Sequence, residues 1–206
     1  MTRTAVALAI GLAMAGQAAL SQEAALDVGP FRALEVQEDV LLDVSIGPIQ
    51  TINATPIKGD LAQLRTREFL PWVVFDRDTR WFIFPQWRED IFQVSVETPV
   101  LNGLKAFDGA QARFSGDADQ RLWIEAGAGG GVALDDVVVH ELTLVARAGG
   151  TITAQGRCAM LTIRNEGLSV DASELTCDSV VVNGDPAHVT LAPGTIVVDA
   201  HPDPAS

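Results

Sequence analysis

Cys158 and Cys177 are the two thiols of a 206-residue chain, and they stand nineteen residues apart. Two cysteines pair as a disulfide in an oxidising compartment, whereas with histidine and carboxylate beside them they hold zinc or attack a substrate. The histidines here are His140, His188 and His201, and they share no metal-ligand spacing with one another or with the thiols. No metal and no cofactor is therefore expected. The run Gly127–Gly131 follows a strand pattern but opens no helix and lacks a following Lys-Ser or Lys-Thr. It is a turn rather than a phosphate cradle.

Carboxylates are the remaining chemical groups. Asp135, Asp136, Asp171, Asp178 and Asp185 recur through the second half of the chain. A polysaccharide-active enzyme would need two of them at a defined separation, or one base beside a cation. Across that stretch the cations are Arg147, Arg157 and Arg164, with no lysine after Lys105. Each acid falls at a turn or an outward strand position, where a solvated edge that discourages sideways strand pairing explains it. Asp117, Asp119, Asp135 and Asp136 offer a third reading, a divalent-cation site.

Aromatic residues are concentrated rather than dispersed. Phe69, Trp72, Phe75, Trp81, Phe82, Phe84, Trp87 and Phe92 crowd one short segment. Trp72–Phe75 and Trp81–Phe84 read as the arms of a hairpin turning at Asp76–Thr79. Alternation then places Trp72 opposite in direction to Phe75, and both faces are apolar. One face is core. The other is either a cap over an open end of the fold, the favoured reading, or a patch that stacks a glycan or docks a protein. Trp72, Phe75, Trp81, Phe84 and Trp87 are the candidate binding residues.

The elements that must position these groups are strands. Apolar-x-apolar segments begin at Leu104, Leu122, Leu142, Leu161, Val180 and Ile196, and a second series begins at Phe114, Val132, Ile152, Val170 and Val189. Within each series the spacing is about nineteen residues, with Gly- or Ala-rich turns between. An antiparallel sandwich and a β-solenoid both fit strands this short. Each series matches its own kind one period later, the turns differ from the usual Asn-Gly hairpin turns, and the inward positions hold stackable Leu, Ile, Val and Ala. These features favour the solenoid. In that register Cys158 and Cys177 each precede a strand start by three residues, so they fall on adjacent rungs about 4.8 Å apart, within disulfide reach.

The N-terminus sets the compartment. Arg3, the apolar run Ala5–Leu20, and Ala19 with Ser21 before Gln22 form the three parts of a secretory leader cleaved near Ser21. A periplasmic or secreted location follows, in which the two thiols pair. The net charge is −13, which argues against nucleic acid and anionic membrane surfaces as partners. The chain thus divides into a leader, 1–21, a β-rich part with the aromatic hairpin, 22–100, solenoid repeats, 101–200, and a flexible tail, 201–206. Within the second part Asp60 is placed to cap a short helix carrying Leu61 and Leu64.

With the repeats in view, the chain resembles the head GIN domain family, also described as auto-transporter adhesins. Phe31-Arg-Ala-Leu-Glu-Val36 and Val40–Gly47 match its opening, and Phe82-Ile-Phe84 and Val94-Ser-Val-Glu-Thr-Pro-Val-Leu101 match the two strands that follow. Gly127–Val132, Ala148–Ile152 and Val170–Ala172 are degenerate copies of its Ser-Gly-x-Gly-Asp-Val repeat, with Gly131 and Thr151 where the family carries Asp. The resemblance implies a right-handed parallel β-helix of pectin-lyase-like shape and an envelope location. It brings no catalytic residues. The expectation is a non-catalytic, adhesin-like protein whose partner is a protein or glycan of the cell envelope; the alternative is a polysaccharide-active β-helix enzyme.

Overall fold

The computed structural model describes residues 23–77, 90–118, 120–166 and 169–197. Within them the chain is all β, with two single 3-10 turns. The strands are β1 (Ala24–Ala25), β2 (Ala33–Val36), β3 (Val40–Ile46), β4 (Thr51–Lys58), β5 (Leu64–Phe69), β6 (Trp72–Arg77) and β7 (Ile91–Thr98). They continue as β8 (Gly103–Ala106), β9 (Gln111–Asp117), β10 (Arg121–Ala126), β11 (Gly131–Ala146), β12 (Thr151–Asn165), β13 (Ser169–Gly184) and β14 (Val189–Leu191). The expected leader, 1–21, and the expected tail, 201–206, lie outside the described residues.

Pairing is mixed. Two parallel ladders run through the molecule. The first joins β6, β2, β8, β10 and the second halves of β11, β12 and β13. The second joins β7, β3, β9, the first halves of β11, β12 and β13, and then β14. Because β11, β12 and β13 bend and serve both ladders, the whole forms one curled sheet. Antiparallel strands close its N-terminal end, β5 on β6, β4 on β7 and β1 on β4. The sequence periodicity carries no sign of these three antiparallel pairings.

Like side chains stack on like. Leu34, Leu104, Ile124, Leu144 and Ile163 occupy one register column of the first ladder, each fully buried. Leu42, Ala112, Val132, Ile152 and Val170 form the matching column of the second. Each large aliphatic so buried is worth about 1.5–3 kcal/mol, so a one-residue slip, which turns a whole column outward, is strongly disfavoured. The turns between ladders are equally constrained. A Cβ on Gly130 would lie 2.3 Å from the Ala106 carbonyl oxygen, and one on Gly150 would lie 2.3 Å from Ala126 backbone atoms. Glycine is needed there because successive turns pack backbone on backbone.

The thiols meet as the register requires. Cys158 pairs with Cys177 in the β12–β13 ladder, and the two are joined by a disulfide with Cα atoms 4.6 Å apart. Asp60 accepts the Ala62 N–H at 3.0 Å and starts the first 3-10 turn, Leu61–Gln63, which is shorter than the helix expected there. Both edges of Trp72–Phe75 are taken, by β5 and β2, and the hairpin partner of β6 is Leu64–Phe69; the expected second arm, Trp81–Phe84, lies outside the described residues.

Candidate functional site

Outward-facing side chains of the two ladders differ in chemistry. On the first ladder, Trp72, Ala33, Gly103 and Trp123 share one register column. The two small residues let the Trp72 ring lean across, with its edge 3.0 Å from where a Gly103 Cβ would be. Trp72 and Trp123 then meet edge to face, centroids 6.2 Å apart. In the adjacent column Glu35, Lys105 and Glu125 are stacked. The Lys105 ammonium lies 4.2 Å from the Trp72 ring centroid and 5.0 Å from that of Trp123. It is 3.8 Å from Glu35 and 3.9 Å from the buried Glu125.

Glu125 also binds Arg147, which reaches Glu166 at 3.7 Å. The hydrogen bond that Arg147 donates to Glu125, and the charges of Glu125 and Glu166, raise the Arg147 pKa further above its ordinary value. A cation already fills the space between the rings, and two acids already match it. This cluster is a closed clamp across strands rather than an open aromatic platform. Of the candidate binding residues, Trp72 joins the clamp and is half-buried, while Phe75 is wholly buried in the core. Trp81, Phe84 and Trp87 lie outside the described residues. Trp123 escapes notice in the sequence because it stands alone among the repeats, and only the register brings it to Trp72.

The outer face of the second ladder is open and polar. One column reads Gln93, Leu41, Gln111, Gly131, Thr151, Ser169. Two residues further along each strand, the next reads Ser95, Asp43, Arg113, Ala133, Thr153, Asp171. Three hollows of about 390, 280 and 170 Å³ lie along this face. The largest shares Asp43 and Arg113 with the second and Thr153 with the third, so together they form one shallow trough.

The trough is ordered by side-chain pairs between strands. Arg113 is ion-paired with Asp135, Gln155 donates to Asp135 at 3.0 Å, and Gln93 donates to Asp43 at 2.8 Å. Asp171 accepts the Ser173 N–H at 3.0 Å, and its hydrogen bonds with the Ser173 side chain and backbone hold its pKa below the ordinary carboxylate value. The acids singled out in the sequence are thus divided. Asp135 and Asp171 line the trough, Asp136 sits with φ 51° at the bend of β11, and Asp185 caps the second 3-10 turn by accepting the Ala187 N–H. Asp117 ends β9, and Asp119 lies outside the described residues. His140 and His188 are exposed. Among the described residues no helix is long and apolar enough to cross a membrane.

Known proteins place this architecture. No curated protein matches the chain. A crystal structure of a "putative adhesin" from Bacteroides fragilis superposes with a TM-score of 0.68 at 12% identity, covering 78% of this chain and 74% of the other. A "putative lipid binding protein" from Parabacteroides distasonis gives 0.53 at 9%, covering 79% and 78%. An adhesin-described structure from Parabacteroides merdae gives 0.50 at 11%, covering 80% and 78%. At such identities the likeness establishes the fold. Residues 84–185 match the family described as "Putative auto-transporter adhesin, head GIN domain", and it is to the head GIN domain family that the chain belongs.

Proposed function

We propose that this is an exported, non-catalytic, adhesin-like protein of the bacterial envelope that holds its partner on the outer face of the second ladder. In this reading residues 1–21 are a cleaved leader, the mature chain works in the periplasm or outside the cell, and the parallel ladders wind as a right-handed β-helix. The observation that carries it is the continuous polar trough, open to solvent, on a face that buried columns and a disulfide keep rigid. A rigid, preorganised surface loses little freedom on binding. Family membership supports adhesion over catalysis. The pairing of Asp135 with Arg113 and Gln155 fits the same choice, because it keeps that trough carboxylate ion-paired and hydrogen-bonded.

Co-sedimentation of the purified protein with isolated peptidoglycan sacculi and with outer-membrane vesicles tests this. Binding to at least one of them, abolished by Thr153→Trp, is the expected result; Thr153 is exposed in the trough, so the bulky ring fills it without entering the core. Binding unchanged by that substitution overturns the assignment.

A further inference from the structure

We infer that the trough takes a linear polysaccharide carrying free amino groups, laid across the strands. This rests on the reading of the trough as the binding surface and names its ligand class. The strands of its floor have both edges occupied, β3 by β7 and β9, β9 by β3 and β11, and β12 by β11 and β13. An extended peptide therefore has no edge to join, and recognition falls to side chains. Those side chains are amides and hydroxyls such as Gln93, Gln111, Thr151 and Thr153, groups that both donate to and accept from sugar hydroxyls.

The trough crosses the strands from β7 to β13, roughly 24 Å at about 4.8 Å per strand, which suits a polymer rather than one sugar. Its charge selects among polymers. Asp43, Glu97, Asp135, Asp171 and Glu174 line it against Arg113, and Arg113 is spent on Asp135. A uronate or sulfated chain is repelled from such a lining, and an ammonium-bearing one is drawn to it.

Calorimetric titration of the purified protein with hexamers of glucosamine, N-acetylglucosamine and galacturonate separates the cases. The glucosamine hexamer is expected to bind at least tenfold more tightly than the other two and to weaken as salt rises. Thr153→Trp should abolish that binding, and Asp171→Asn, a milder change at an exposed position, should weaken it severalfold with the fold retained. Galacturonate or N-acetylglucosamine binding equally well, or glucosamine binding indifferent to both substitutions, overturns the ligand class. Absence of hexamer binding while Thr153→Trp still blocks co-sedimentation removes this inference alone and leaves the adhesive reading standing. If Thr153→Trp affects neither, both are lost.

Discussion

At the scale of single residues, the disulfide was the most legible feature, because the two thiols are spaced by the same nineteen residues as the repeat and so fall side by side on adjacent strands. Cys158 and Cys177 close a short loop across one rung. In the chain-entropy account such a loop is worth about 3 kcal/mol. Reduction, or the double change Cys158→Ser with Cys177→Ser, should lower the unfolding free energy by about that amount in a denaturant titration with the fold retained. Glu38 was not legible. It sits at φ 58° beside Arg77, and burial raises its pKa, against the opposing pull of the Arg77 charge and hydrogen bond. A carboxyl whose folded pKa is raised binds its proton more tightly folded than unfolded. Its contribution is therefore fully present below the ordinary glutamate value and is lost as pH rises through the raised one. The stability difference between wild type and Glu38→Gln should shift against the wild type across that window, and a flat difference would remove the argument.

Among elements, the strands of the repeats could be located from period-two alternation and a nineteen-residue recurrence, and their register followed from matching like with like. The N-terminal strands could not be paired that way. β2 and β3 join ladders whose other members lie far along the chain, and β4 and β5 run antiparallel at the closed end. Nothing local encodes such long-range choices. The pairing of β6 with β5 and β2 was hidden for the same reason, since alternation fixes which way Trp72 and Phe75 point but not which strand lies alongside. Two tests belong here. Gly150→Ala forces a Cβ into backbone of the preceding turn and should cost about 3 kcal/mol or more by overpacking. Gly109→Ala, at φ 86° with open space around it, should cost only about 1 kcal/mol from the left-handed conformation. Equal costs would show that the turns do not stack as described. Trp123→Ala removes an edge-to-face ring pair and one face of the Lys105 clamp, and should cost about 2 kcal/mol with a marked change in tryptophan fluorescence.

For the whole molecule, the sequence disclosed an all-β chain of the head GIN domain family, and the family match and the fold agree with that outline, while the sheet is mixed and curled where a wholly parallel stack was expected. The binding surface was not disclosed. Sequence reading drew attention to the dense aromatic cluster, yet Phe75 is core and Trp72 is clamped. The trough is assembled from residues such as Asp43, Arg113 and Thr153, unremarkable singly and brought together only by register. The most direct measurement compares the two outer faces. Thr153→Trp blocks the second ladder's face, and Thr143→Trp places the same ring on the first. Both should melt within a few degrees of wild type. If the trough is the adhesive surface, Thr153→Trp alone abolishes co-sedimentation with sacculi or vesicles, while Thr143→Trp binds like wild type. Loss of binding in Thr143→Trp with Thr153→Trp unaffected would contradict the account.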